Sequence, residues 1–447
     1  MAETETPPAA ASLTVRQAAF IGVGAMVGAG IFSLLGAAGE VAGAAVWVSF
    51  LIAGAVAGFQ GYSFAKLGAR YPSRAGLLEY VVRGFGHGHV TGIVAWLLLG
   101  VNAIITGMVA VSFGSYAAEA VADGTSGWVK AFATGVVLVM AVLNVYGSRA
   151  VARVQTVVVV VVVGILTIFA VSTLATIDLD LLAFSGYPSL RDIVSSVALT
   201  FFAFLGFGVI TFTAADLPNP SHQLPRAVYL ALSIATVIYV AVALGVFGTL
   251  TVDEVIESGG TALAVAAEPT LGRAGYWMMT VTALFATAGA TNSGLYPAAG
   301  LCEQMAAHGQ FPPALSRKVG GRAPAGIVVT AALAIVLAVG FDLTAIASIG
   351  SAVALVVFTL VTAGHLRVRD ETGANTAVLA TGIATTVIVL LAFAATTLVD
   401  EPGTAIALAV ILLLSIALDL AWKARRGAGH DQRADASSPR PGEGAAL

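Results

Sequence analysis

The chain has 447 residues, of which 58% are hydrophobic and 10% charged, with a net charge of −3 and a mean hydropathy of +0.94. A water-facing domain carries roughly 25% charged residues, so this chain cannot clothe a soluble surface, and no basic run offers a face to nucleic acid. The single cysteine, Cys302, allows no internal disulfide, and six histidines without an intramembrane cluster argue against a membrane-embedded enzyme.

The opening stretch, MAETETPPAAASLTVRQ, is polar and acidic. It does not read as a cleavable signal, so residues 1–15 are expected to be a cytoplasmic segment and the first apolar run a retained helix. From there apolar runs recur, each about as long as the ~20 residues that cross a bilayer. Twelve helices are predicted, over 16–38, 41–68, 88–118, 128–146, 149–173, 190–215, 225–250, 272–306, 324–340, 342–367, 374–398 and 403–422. The runs lack the polar–apolar alternation of barrel strands. The fold class expected is therefore an all-α polytopic membrane protein, with the lipid bilayer as its first partner. The tail 423–447, rich in Gly, Ala, Pro and charge, is expected to be disordered.

Loop charge sets the orientation. In the twelve-span scheme all but three of the 21 Lys and Arg residues (Lys130, Arg191 and Arg273) fall on one side, and the opposite loops are acidic: IDLD, TVDEVIE and VDEP. Cytoplasmic loops collect Lys and Arg, so both termini are expected in the cytoplasm of a plasma-membrane protein.

Two spans carry glycines in mid-membrane. The first holds GVGAMVGAGIF, residues 22–32, with Gly22, Gly24, Gly28 and Gly30, and the sixth holds FFAFLGFGVITF, residues 201–212, with Gly206 and Gly208. Each glycine costs a helix roughly 1 kcal/mol relative to alanine. One such cluster is readily a helix-packing device, and Gly24 with Gly28 forms a GxxxG pair. Two clusters five spans apart point instead to broken helices at matching places of an inverted repeat, the best sequence pointer to a transporter's binding site. The repeats would be 16–173 and 174–368, with the two helices of 374–422 outside them. Unwinding a helix in lipid exposes polar backbone that costs several kcal/mol per group unless satisfied. N–H groups at a half-helix start suit a carboxylate, and carbonyls at the other break suit an ammonium group or a cation.

These segments resemble the amino acid–polyamine–organocation transporter superfamily. GVGAMVGAGIF is similar to its first-helix signature. FFAFLGFGVITFTAADLPNPSHQLPRA resembles its sixth helix and following loop, here with Asp216, Asn219-Pro220 and Pro225-Arg226. TNSGLYPAAGLCEQMAAHGQFPP and ASIGSAVALVVFTLVTAGHLRVR fit its eighth and tenth helices. The resemblance covers roughly residues 14–370 and implies a five-plus-five inverted-repeat fold, LeuT-like, with alternating access. It implies that Ala25, Met26, Gly28, Ala29 and Gly30 offer backbone to a substrate carboxylate. Phe202, Ala203, Leu205 and Gly206 would meet its amino group and side chain, with Phe202 as an aromatic gate. Gly294, where some relatives carry a large aromatic, implies a roomier pocket. The chain departs from the family at Gly300, where an arginine is common, at Val162, where some proton-coupled relatives carry a lysine, and at Gly208, where polyamine and arginine exchangers can carry a glutamate.

No ionisable residue lies well inside predicted spans one, three, six, eight and ten. Glu119, Asp216 and Glu303 sit towards span ends, and His365 reads as an ordinary interfacial histidine. The polar residues left are neutral: Asn102, Thr106, Thr287, Thr291, Asn292, Ser293, Ser348 and Ser351. Intramembrane charge is costly and functional where it occurs, so a small neutral amino acid is the expected substrate, with Asn102 among its contacts. No cofactor is expected. Coupling is open between sodium, held near Gly22 and Ala25 carbonyls with Thr287 or Thr291, a proton through Asp216 or Glu303, and ion-free exchange. Either a monomer or a homodimer fits. The alternatives are a potassium-type cation transporter on the same fold, or a carrier of amines or cationic amino acids.

Overall fold

The computed structural model describes residues 13–437 except 29, 74, 123, 147 and 320–322. Apart from a two-stranded antiparallel ladder, β1 (Lys318–Val319) with β2 (Ala323–Pro324), the described residues are helix and loop. The first helix, α1 (Val15–Val27), starts at a capping box in which Thr14 accepts from the Gln17 amide and the Gln17 side chain accepts from the Thr14 amide. It stops at Gly28, and α2 (Gly30–Ala42) follows. A 3-10 turn at Gly43–Ala45 leads into α3 (Val46–Arg70), and the short amphipathic α4 (Leu77–Phe85) lies between α3 and α5 (His89–Ala122). Next come α6 (Ser126–Tyr146), α7 (Ser148–Ala175) and α8 (Leu190–Phe202), the last continued by a 3-10 helix over Leu205–Asp216.

The second part of the chain holds α9 (Pro220–Phe247), α10 (Val252–Ser258), α11 (Ala262–Ala307), α12 (Ala325–Gly340) and α13 (Leu343–Arg367). It ends with α14 (Arg369–Thr372), α15 (Thr376–Ala395), α16 (Thr397–Asp400) and α17 (Pro402–Ser437). Among the described residues nine stretches are long and apolar enough to cross a membrane, the first being the whole of Val15–Arg70. Alongside them α12, at 16 residues, is about 24 Å long by its 1.5 Å rise, short of a ~30 Å hydrocarbon core.

Three helix ends differ from the sequence reading for physical reasons. The α9 helix begins at Pro220, not near 225, because proline at the first helical position loses no hydrogen bond. Gly272, at φ 65°, kinks α11, so the predicted start at 272 is real but follows a further stretch from Ala262. Residues 438–447 of the expected disordered tail lie outside the described residues, and the α17 helix runs past the predicted span end at 422 to Ser437. Its KARR start continues a helix already nucleated, which costs far less than starting one.

Burial sorts the helices into two layers. The stretch Leu190–Asp216 is 89% buried in its most apolar window, whereas Ser126–Val145 and Pro402–Arg426 are 17% and 22% buried. Outer helices present Val142, Val157, Val171, Leu391 and Leu413 outward, an apolar surface suited to the lipid bilayer. Inside, α1 packs on α9 and the 3-10 helix, α2 on α8, and α5 on α11, α12 and α13. Both glycine-rich segments thus lie at the centre, one against the other.

Candidate substrate site

The first break separates α1 from α2 at Gly28, with Ala29 outside the described residues. Helix geometry leaves the last carbonyls of α1 and the first N–H groups of α2 without intrahelical partners. The second break is not a gap. Ala203 and Phe204 bond back to Thr200 and Phe201, at 3.1 and 3.0 Å, and the chain then holds 3-10 turns for twelve residues. Runs beyond three or four such residues are uncommon and mark a hinge or strain. The expected unwinding is here a change of pitch.

The two breaks abut backbone to backbone. A Cβ on Gly30 would stand 2.5 Å from Ala203 Cα, and one on Gly206 would stand 2.5 Å from Met26 N and 2.7 Å from Ala25 O. Gly28 meets the Ala290 methyl group and, at 3.0 Å, the Ala286 carbonyl of α11, while Gly22 faces Ile210 and Ala231. These glycines therefore serve close packing and the breaks at once. The Tyr239 hydroxyl of α9 donates to the Ala203 carbonyl, 3.1 Å away. Tyr116 of α5 donates to the Phe32 carbonyl at 3.0 Å, and Ser33 of α2 bonds Ser112 of α5. Sequence reading missed these tyrosines and serines. They lie in apolar runs whose only signal is one polar atom.

The sixth-span aromatics divide by direction. Phe201 and Phe207 lie edge-on to Phe358, Phe207 also stacks on Phe64, and Phe204 meets Tyr239. Phe202, 4% exposed, instead packs its ring edge on Gly350 of α13 and near Ile104 of α5. On either side of Gly350 the hydroxyls of Ser348 and Ser351 are buried without a hydrogen-bond partner. Met26, Gly28, Gly30, Ala203, Leu205 and Gly206 are all buried, and Ala25 is half-buried.

Other predicted residues stand apart. The Asn102 amide donates to Leu98 on its own helix, 3.0 Å away. Gly294 opens no extra room: a Cβ there would be 2.5 Å from Thr106 Oγ1, so the expected roomier pocket is filled from α5. Gly208 does have space, since a Cβ there would meet Leu77 and Phe358 only at 3.5 and 3.9 Å. A void of about 10 Å³, roughly one water, lies beside the first break between α1, α7 and α11, lined by Gly24, Val27, Gly28, Val158, Val159, Val162, Ala286 and Gly289. Gly22, Ala25, Thr287 and Thr291, the predicted ion-site residues, stand outside the walls of this void. Its walls hold no side-chain oxygen. The Thr287 and Thr291 hydroxyls donate to Ala283 and Thr287 carbonyls at 2.6 and 2.8 Å.

Charge is kept at the ends of the bundle. Glu119 and Glu303 are exposed and Asp216 half-buried. Asp419, fully buried on α17, pairs with Lys423 at 3.0 Å and His89 at 2.6 Å; the lone acid in its apolar run was the signal that sequence reading passed over. Among the described residues no cluster of three metal-ligating side chains occurs.

Comparison with known proteins gives concordant findings. A family model described as amino acid permease matches residues 13–421. The inner membrane transport protein YbaT of Escherichia coli is 31% identical over 375 residues, 83% of this chain and 87% of that protein. A vacuolar cationic amino acid transporter 4 of Arabidopsis thaliana is 30% identical over 251 residues, 51% of this chain and 41% of that protein. The methylthioribose transporter of Bacillus subtilis is 23% identical over 266 residues, 56% and 57% of the two chains.

Proposed function

Since the chain belongs to the amino acid permease family, a family of membrane transporters and not of enzymes, we propose that it carries small neutral amino acids by alternating access. In this reading the twelve helical runs are twelve spans, residues 16–173 and 174–368 are inverted repeats, and both termini lie in the cytoplasm. The cell membrane is the proposed location, as for the relative named an inner membrane protein.

The observation that carries the reading is the contact of two glycine-bearing breaks, Gly30 on Ala203 and Gly206 on Ala25–Met26, in a charge-free centre. The N–H groups at the start of α2, which helix geometry leaves without intrahelical partners, suit a carboxylate, and the carbonyls ending α1 suit an ammonium group. A substrate with both groups one carbon apart would part the contact and satisfy both sides. The unpartnered Ser348 and Ser351 hydroxyls, each costing about 1–3 kcal/mol when buried unbonded, offer further polar contacts. A cationic amino acid, the substrate named for the Arabidopsis relative, would want a carboxylate here. An uncharged solute like that named for the Bacillus relative is the second reading, favoured by the same two hydroxyls.

Counterflow of radiolabelled solutes in proteoliposomes preloaded with the unlabelled compound tests this. Exchange of neutral amino acids is expected. Exchange of cationic amino acids alone, or of methylthioribose alone, would overturn it.

A further inference from the structure

His365 is, among the described side chains, the one fully buried histidine, not the interfacial residue its place near a span end suggested. Its ring joins three elements. Nδ1 lies 2.9 Å from Ser63 Oγ on α3, and Nε2 lies 2.8 Å from Thr372 Oγ1 on α14. The Thr372 hydroxyl donates to the Arg369 carbonyl at 3.0 Å, so it accepts from Nε2–H. That leaves Nδ1 as the nitrogen free to change state. A serine hydroxyl donates to a bare Nδ1 and accepts from a protonated one. Hydrogen bonding alone therefore does not choose between one ring proton and two, and the cost of burying the charge decides.

One turn earlier on both helices the polar row continues. Thr362 donates to Gln60 Oε1 at 2.6 Å, and Gln60 Nε2 donates to the Gly382 carbonyl of α15 at 2.9 Å. This row fastens α3 to α13 and α15, and both α3 and α13 also hold the second break. Gly350 of α13 takes the Phe202 ring edge, while on α3 Phe64 stacks on Phe207 at 5.3 Å and Gly54 lies against Phe204.

The charged groups around the ring are engaged elsewhere. Arg83 pairs with Glu79 on α4, Tyr71 donates to Glu371 at 2.5 Å, Arg369 lies 3.6 Å from Asp370, and Arg367 reaches the Gly84 carbonyl and the Phe85 ring. On α5 and α17, His89 and Lys423 pair with Asp419, and α15 carries no charged residue. Lys66 of α3 reaches the Gly373 carbonyl at 3.4 Å. A second ring proton would thus be a buried cation whose bonded partners, Ser63 and Thr372, are neutral hydroxyls, and such a charge is costly unless water reaches it.

We propose that His365 is a proton-binding site which, on taking a proton from water at Nδ1, releases the α3–α13 contact and so makes transport depend on pH. The inference rests on the transporter reading for its consequence, but proton binding can be measured without transport. The purified protein is expected to lose thermal stability as pH falls from about 7.5 to about 5.5, and His365→Gln to lose less over that range. In counterflow, the wild type is expected to speed up with acid by at most about tenfold per pH unit for one proton, and His365→Gln to be flat. Coincident stability profiles for the two proteins would overturn the proposal whether or not transport is found. Differing stability profiles with no counterflow at any pH would uphold the proton site and overturn the transporter reading. Should His365→Gln not fold, Ser63→Ala, which removes the hydroxyl that serves both states, is expected to shift the stability profile along the pH axis; an unshifted profile would sink the idea.

Discussion

At the first break one α-helix ends at Val27 and another begins at Gly30, whereas at the second the helix ending at Phe202 passes into twelve residues of 3-10 turns. The glycines meet different neighbours as well. Gly206 and Gly30 face backbone across the contact, and Gly28 faces chiefly a methyl group on α11. Where one helix ends and another starts, the end groups lack intrahelical partners and can meet a ligand. A change of pitch keeps its groups bonded and moves side chains along the axis, since a 3-10 helix rises about 2.0 Å per residue against 1.5 Å. In the proposed transport cycle the first break recognises substrate, and the second shapes the site and moves.

The sharpest way to break this comparison is Gly206→Ala. Its Cβ would stand 2.5 Å from Met26 N, and backbone on both sides cannot yield. Overpacking of about 1–3 kcal/mol is expected to cut counterflow by up to about a hundredfold. Unchanged exchange would mean that the breaks separate widely in every working state. Gly28→Ala should be nearly as harmful, but its main obstacle is the Ala290 methyl. Adding Ala290→Gly is therefore expected to restore most of the exchange, and no recovery would show that Gly28 matters for its backbone.

Tyr239→Phe should have a middling effect. It strips the donor from the buried Ala203 carbonyl, at a cost of about 1–3 kcal/mol, and the melting temperature of the purified protein should fall. A melting point at the wild-type value would mean that water reaches the second break. Ser348→Ala removes an unpartnered hydroxyl, so stability should hold or rise while the KM for the substrate increases several-fold. An unchanged KM would remove α13 from the polar part of the site. Gly208→Ala should be the mildest, within about 0.5 kcal/mol, because only ordinary contacts await its methyl group.

Helix positions were legible to the extent that apolar runs and caps governed them. The tight division between α12 and α13 was placed from the apolar runs alone; what fixes it in the structure is Asp342, which caps the second helix by accepting from Ala345 N at 2.7 Å. The start of α9 was not, because Pro220 fits a first helical turn as well as a loop. For the site, the glycine clusters announced themselves, but Gly294 misled: the space its missing side chain implied is taken by Thr106 from another helix. His365 misled in the same way, since its neighbours Ser63 and Thr372 are 302 and 7 residues away in the chain.

By itself the sequence determined that this is a polytopic helical membrane protein, where its apolar runs fall, and which two of them cannot be plain helices. Hydrophobicity, glycine content and capping act over one or two turns, so they are written locally. Only the tertiary structure decided that the two breaks close on each other, that one parts two helices while the other is a change of pitch, and that a histidine near a span end is buried between hydroxyls. Those outcomes depend on which distant backbone or side chain occupies a given few ångströms, and no local pattern encodes that.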